Sequence, residues 1–528
     1  MANLATVMEE RVRRRDTWRA PAFLVGERVW SHSEVHRGAA HAAALLGHKG
    51  VRRGDRVLVV VADGMEFVWA FLGTVRLGAL ALLVNPRLTA DDHAELAADA
   101  RPRVVVCEAE LADRFSSAAM VVRADALGAA VCGALEAEDD GWAPTPAVEV
   151  NDGEPAYAQY TSGTTGRPKA AVHRHGEPLV YYRAFAEGAI RLKADDVVFS
   201  VSKLFFAYGM GNSLFFPLLS GCRAVLDPGP PRPDTAARLV ARHGVTVVFS
   251  VPTFYARLVA AGEAAAFSTL RAAVSAGEAL TPVLAERARG LLDCPVLDGL
   301  GSTEVGQTFV SNTLDAQRDG TIGLVLPPYE LAVRDDEGHE VGAGRPGTLW
   351  VKGPTVLVGY LDRPDATAAA VHDGWLCTAD RASIDADGFV HHLGRVDDIE
   401  VVGGINVAPL EVEAVLVGHP MVSEVAVAGV HDERGASRLE AFVVAANDGG
   451  TVDLVSEELV ALARSRLAPH KVPRAVHFVD SLPRTPTGKL RRFLLRTGAW
   501  GGVADVPTPP GPSGPLSGMP GPGPPPPS

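Results

Sequence analysis

The sequence predicts an α/β fold: a large N-terminal domain of several subdomains, with doubly wound sheets and a β-rich part, followed by a small α+β domain. Three observations carry this. Short β-branched runs alternate with helical patterns from residue 56 onward, Gly, Asp and short strands replace that alternation between about 320 and 392, and a compact mixture of helices and strands follows Asp397. At 528 residues the chain is also too long for a single core.

In order along the chain, RVLVVV (56–61) reads as a strand, 64–78 as a helix and ALALLVN (79–85) as a second strand. A helix at 90–100 and the strand RVVVC (103–107) follow, and such alternation predicts parallel strands with crossover helices. The pattern recurs near 223–260, where RAVLD and VTVVFSV flank a helix at 234–243. ELAVRD, GTLWVKG and GFVHHLG supply the β-rich part, and no internal repeat is visible. After Asp397 come a helix at 409–417, strands near 424–430 and 439–446, a helix at 455–467 and a strand near 474–479. In 507–528, 11 of 22 residues are Pro and 5 are Gly. That composition buries no core and predicts disorder, with a Pro-rich docking ligand as the alternative.

Hydrophobic content of 47% with 21% charged residues is that of an ordinary soluble protein. The net charge of −13 argues against a nucleic-acid partner, although a nucleotide needs only a local patch of donors. Cys107, Cys132, Cys222, Cys294 and Cys377 lie far apart with no CxxC pair and read as buried thiols. The N-terminus has no apolar signal-peptide core and no run of about 18 apolar residues occurs, so a cytoplasmic protein without a membrane partner is expected.

The sharpest motif is Tyr160-Thr161-Ser162-Gly163-Thr164-Thr165-Gly166-Arg167-Pro168-Lys169. Its glycines let backbone N–H groups turn toward phosphate oxygens, three hydroxyls add donors, and Lys169 adds a cation. The spacing GxxGxxK is not that of a Walker loop.

This decapeptide resembles the phosphate loop of the adenylate-forming superfamily: acyl- and aryl-CoA synthetases, luciferases and peptide-synthetase adenylation domains. Gly299-Leu-Gly-Ser-Thr-Glu304, Trp375-Leu-Cys-Thr-Ala-Asp380, Gly394-Arg-Val-Asp-Asp398 and Pro483-Arg-Thr-Pro-Thr-Gly-Lys489 resemble its other motifs in the right order, so the resemblance spans about 20–497. It implies that ATP is the nucleotide, with Glu304 on Mg²⁺, Thr303 on the α-phosphate, and Asp380 and Arg395 on the ribose. Asp298, Gly299 and the backbone of Ala276, Gly277 and Glu278 would meet adenine, and Lys169 would act with Lys489, which bridges acid and nucleotide. The boundaries follow: 1–396 binds ATP and acid, 397–500 is a mobile catalytic domain hinged at Asp397, and 501–528 is the tail. Gly403 and Gly404 would line a tunnel for the pantetheine arm of CoA.

Ser202-Lys-Leu-Phe-Phe-Ala-Tyr-Gly-Met-Gly-Asn-Ser213 further resembles the benzoate–CoA ligase branch. Phe206 stands where amino-acid-activating relatives carry an Asp. Phe206, Ala207, Tyr208, Ala276, Gly301 and Gln307 would wall a short flat pocket, although a core strand is the alternative for 204–210. Gln307 replaces the His of benzoate-specific relatives, and an amide that donates and accepts suits a hydroxyl- or amino-substituted ring. Ala170, Thr348, Ala379 and Glu400-Val401 also depart from the common pattern. The expected partners are therefore an aryl acid, ATP and CoA, with a carrier protein as the alternative acceptor and a homodimer left open.

Overall fold

A computed structural model describes residues 3–137, 146–162, 168–398, 400–402, 405–431, 437–446, 452–484 and 490–497. Gly163, Thr164, Thr165, Gly166, Gly403, Gly404, Lys489 and the tail lie outside the described residues, as do the side chains of Ser162 and Asp397.

The alternation read from residue 56 builds a seven-stranded sheet. Its order is Gly359–Tyr360, Pro168–Arg174, Pro155–Ser162, Leu80–Leu83, Arg56–Val60, Val104–Cys107 and Met120–Arg123. The four strands from Leu80–Leu83 to Met120–Arg123 run parallel, and the first three of them are nearly pure aliphatic runs because both faces are covered. The crossover helix Ala90–Ala100 begins at a Thr89–Asp92 capping box, while Met65–Arg76 is buried along its whole length, as its apolar sequence requires.

A nine-stranded sheet runs Leu324–Val325, Thr308–Ser311, Val296–Gly301, Ala272–Ala276, Val247–Ser250, Val197–Ser200, Arg223–Leu226, Pro21–Val25 and Arg28–Ser31. The main core joins side chains of both sheets, including Val57, Val106, Val198, Phe249 and Val274, around the helix Met65–Arg76.

The β-rich segment forms a five-stranded antiparallel sheet of Glu330–Arg334, Gly347–Lys352, Trp375–Ile384, Val371–His372 and Val390–Arg395. Two of its strands go elsewhere: Leu324–Val325 edges the nine-stranded sheet, and Gly359–Tyr360 adds to the seven-stranded one. The C-terminal domain packs helices Pro409–Leu416 and Val452–Arg466 on the sheet of Val422–His431, Ser437–Ala445 and Ala475–Phe478, around Val412, Leu416, Leu439 and Leu459. No helix among the described residues is long and apolar enough to cross a membrane.

Candidate active site

The predicted phosphate motif begins and ends on paired strands. Thr161 pairs with Lys169 across the strands Pro155–Ser162 and Pro168–Arg174. The Lys169 ammonium lies 5.3 Å from the centre of the Tyr360 ring, and the Tyr360 hydroxyl donates to Glu304 Oε1 at 3.0 Å. Burial, and then the neighbouring Glu304, push the Tyr360 phenol well up, so it stays a donor. Tyr360 is held there because it pairs with Ala171 beside the hairpin, and Leu357 N–H bonds the Glu304 carbonyl at 2.8 Å. One strand addition thus links the predicted phosphate cation to the predicted metal ligand. Among the described residues no cluster of three metal-binding side chains exists. A lone carboxylate suits Mg²⁺, which takes its remaining ligands from phosphate and water.

Thr303 is positioned from beneath. His173 Nε2 meets its carbonyl at 2.7 Å, and His173 Nδ1 meets Glu177 Oε2 at 2.6 Å. Arg174 donates to the other Glu177 oxygen at 2.7 Å. Sequence reasoning missed His173, Glu177 and Tyr360. The only trace was a His four residues after Lys169 and four before a Glu, a spacing that says nothing of Thr303.

The predicted ribose pair is a cross-strand pair: Asp380 faces Arg395 in register, with Arg395 Nη1 at 3.4 Å from Asp380 Oδ1. His392, also missed, approaches the same oxygen at 3.3 Å. Burial alone would raise the Asp380 carboxyl, but the His392 hydrogen bond and the charges of His392 and Arg395 hold it below its ordinary value. A carboxylate kept ionised at a buried place can accept two sugar hydroxyls. Ala379, where a Gly is common, has φ +57°.

The predicted adenine segment lies at the ends of adjacent parallel strands, where Ala276 pairs with Gly299 and Ser275 with Asp298. Gly277 turns there with φ +88°, a conformation that favours glycine. Asp298 Oδ1 is buried with no partner, and burial pushes its carboxyl well up. An acceptor left open in this way fits an exocyclic amine. The Glu278 carboxylate accepts from Thr253 N at 3.1 Å and from Thr253 Oγ1 at 2.5 Å, and Arg484 reaches its other oxygen at 3.1 Å.

The predicted acid-pocket segment is helical and not a strand. Residues Ala207–Met210 form a helical turn that runs into a wider turn at Gly211–Phe215, so the core-strand alternative fails. Gly209 is a steric necessity against backbone, and Gly211 makes room for a side chain. A Cβ at Gly209 would sit 2.2 Å from the Lys203 carbonyl oxygen, and one at Gly211 would sit 1.8 Å from Gln307 Nε2. Gln307 therefore lies against the predicted pocket wall. Its nitrogen is 3.4 Å from both the Tyr208 carbonyl and Asn212 Oδ1, and its oxygen accepts from Thr308 N at 2.9 Å and Thr308 Oγ1 at 3.1 Å. The amide oxygen is thus filled by the protein at short range, while its two N–H groups make only long contacts. Asn212, buried with its Nδ2 unpartnered, is the spare donor at this wall, and sequence reasoning passed over it. Phe206 packs edge-on against Phe205, and a Cβ at Gly301 would meet the Gln307 backbone 2.9 Å away.

The family model described as AMP-binding enzyme matches residues 8–361, and that of the AMP-binding enzyme C-terminal domain matches 411–489. The chain is 43% identical over 496 residues to the p-hydroxybenzoic acid–AMP ligase FadD22 of Mycobacterium tuberculosis, covering 94% of this chain and 68% of that protein. It is 36% identical to the 4-hydroxybenzoate–CoA/benzoate–CoA ligase of Rhodopseudomonas palustris, over 91% of each chain. A crystal structure of a benzoate CoA ligase from Burkholderia xenovorans LB400 superposes with a TM-score of 0.86 at 32% identity, covering 94% of this chain and 100% of that one. The chain belongs to the AMP-binding enzyme family, in the adenylate-forming branch of the benzoate–CoA ligases.

Proposed function

We propose that the protein condenses a benzoate-type acid, hydroxyl- or amino-substituted, with ATP to give aryl-AMP and pyrophosphate, and then transfers the aryl group to the thiol of CoA with release of AMP. The observation that carries this reading is the buried, unpartnered donor Asn212 Nδ2 beside Gln307 and Tyr208, in a wall without any carboxylate from 202 to 213. A substrate ammonium finds no counter-charge there, whereas a ring oxygen or nitrogen finds a donor. The names of the relatives, p-hydroxybenzoic acid–AMP ligase and 4-hydroxybenzoate–CoA/benzoate–CoA ligase, support the same acid class.

In this reading Lys169 and the 161–166 loop hold the phosphates, and Glu304 holds Mg²⁺, which neutralises phosphate charge when bound. Thr303 fixes the α-phosphate, Asp380 and Arg395 the ribose, and Asp298 the adenine. Lys489 brings a cation to the carboxylate oxygen attacking the α-phosphorus, so that catalysis is mostly placement and charge stabilisation. A panel of benzoic acid derivatives read by pyrophosphate release tests it. Hydroxy- and aminobenzoates should lead benzoate, with amino acids and long-chain acids inert. Highest turnover with an aliphatic or α-amino acid would overturn the assignment.

A second acceptor, the pantetheine arm of a carrier protein, is favoured by the 43% identical relative, whose name is that of an AMP ligase. Glu400, one of the departures beside the proposed tunnel, is committed to Arg496 at 2.8 Å. Assay of free CoA against a loaded carrier decides between the two.

A further inference from the structure

Arg484 lies five residues before Lys489, at the foot of the segment that carries it. The two feet are pinned together: Arg484 bridges Leu490, and Arg491 N–H donates to the Pro483 carbonyl at 2.8 Å. From this base the Arg484 guanidinium reaches two carboxylates at once. One is Glu424, on strand Val422–His431 of its own domain, at 2.8 Å. The other is Glu278, on the adenine segment of the N-terminal domain, at 3.1 Å. Glu278 cannot drift to follow it, because Thr253 holds its second oxygen through both a backbone N–H and a hydroxyl. A continuous line of polar contacts therefore runs Thr253, Glu278, Arg484, Glu424, and it crosses between the domains beside the position assigned to Lys489. The planar fork of Arg can serve two carboxylates in this way, where a point-charge ammonium serves one well.

The side chains of Arg484, Glu278 and Glu424 keep 24%, 18% and 23% of their exposure. A pair shielded to this degree lies between exposed pairs, which contribute little, and fully buried ones, whose rupture strands a charge in a dry interior. It holds an orientation and still opens, and when it opens both Arg484 and Glu278 keep a partner, in Glu424 and Thr253.

We propose that Arg484 is a positioning residue, and that its ion pair with Glu278 latches the C-terminal domain in the orientation that forms the aryl-AMP. This rests on the reading above that the two half-reactions use two orientations. The pair joins the base of the segment that carries Lys489 to Glu278, so its loss acts on the half-reaction that uses Lys489.

The test is Arg484→Met, which keeps the aliphatic stem, with Arg484→Lys as the conservative partner. Acid-dependent pyrophosphate exchange should fall in kcat by about 10- to 100-fold in the Met variant, with KM for ATP unchanged, as expected when a catalytic group is displaced by about an ångström. The Lys variant should lie between, and thioester formation from supplied aryl-AMP should keep its wild-type rate. A second readout needs no turnover. Nitroxides at the exposed Met120 and Phe493, with Cys132 and Cys377 replaced by serine, should give one dominant distance in the wild type and a broader distribution in Arg484→Met. Unchanged exchange, equal loss of both half-reactions, or identical distance distributions would each overturn the latch. If the wild type adenylates no aryl acid, the functional reading falls, and the distance measurement still decides on the latch.

Discussion

The two domains hold their share of the site by different physics. In the N-terminal domain the groups sit at strand ends and in contacts so close that Gly209 admits no Cβ and Gly211 admits one only if Gln307 moves. In the C-terminal domain the elements flanking the Lys489 segment are tied by charge: Arg484 to Glu278 and Glu424, and Arg496 to Glu400. Close packing is bistable at best and fixes one geometry, whereas partly exposed ion pairs open and reform at small cost. The difference teaches where each kind of substitution acts: volume changes should damage recognition of acid and nucleotide, and charge changes should separate the half-reactions.

The largest expected effect follows from the C-terminal side. Lys489→Ala should lower aryl-AMP formation by about 10³-fold, the scale for loss of a charge that stabilises a transition state. Thioester formation from supplied aryl-AMP should survive, and equal loss of both steps would show that one orientation serves both.

The N-terminal side carries a pH dependence that the C-terminal ion pairs do not explain. His32 and His175 are buried, and burial pulls both rings from 6.5 down to about 4. His175 Nδ1 accepts from Leu4 N–H at 3.1 Å and so anchors the first helix only while unprotonated there. The unfolded chain binds these protons near 6.5 and the fold near 4, so stability falls as pH drops through that window and shows no slope from them above it. At pH 5 each ring should weaken the fold by about 2 kcal/mol relative to pH 8. Asp63, pushed up to about 6 by burial, acts oppositely, strengthening the fold as pH falls from 6 to 4. Urea unfolding at the two pH values isolates the rings: His32→Gln should lose less stability between them than the wild type does, and an equal drop would exclude His32.

What the sequence made legible was whatever one short stretch contains. The alternation from 56 to 107 announces its strands, and Asp380 and Arg395 each lie in a recognisable motif. The partners of those groups were not legible, because topology supplies them. Tyr360 reaches Glu304 only because a two-residue strand leaves the β-rich segment for another sheet, and His392 reaches Asp380 only through a shifted register between Arg381 and Ala382. Gly211 and Gln307 are 96 positions apart, and nothing in either stretch says that one makes room for the other. Period-based reasoning also had no means of finding the helical turn at Ala207–Met210, which is too short to show a period.

That distant pair gives the next prediction. Gly211→Ala puts a methyl where Gln307 Nε2 lies, and overpacking of this kind costs about 1–3 kcal/mol. KM for the acid should rise while KM for ATP holds. Gly211→Ala with Gln307→Ala should recover much of the stability, with a coupling of about 1 kcal/mol or more, as for residues in direct contact. Strictly additive losses would mean that the two do not meet.

The smallest effect expected is at Ala379. It lies in strand Trp375–Ile384 where the pairing with Gly347–Lys352 slips, Thr348 facing Arg381 and Trp350 facing Cys377, and its φ of +57° aims the next residue, Asp380, into the site. Bulges of this hand favour glycine, and an L-residue held there costs about 1–2 kcal/mol. Glycine would release that strain, but it returns about 0.5–1 kcal/mol through the greater freedom of the unfolded chain. Ala379→Gly should therefore raise stability by no more than about 1 kcal/mol, with kcat and KM for ATP unchanged. Ala379→Val, β-branched in the same conformation, should lose stability and raise KM for ATP together, because strain relieved by rotating the peptide swings Asp380 away from His392 and Arg395. A glycine variant less stable than the wild type would place the strain elsewhere in the bulge, and a valine variant with normal KM for ATP would separate Asp380 from the turn that presents it.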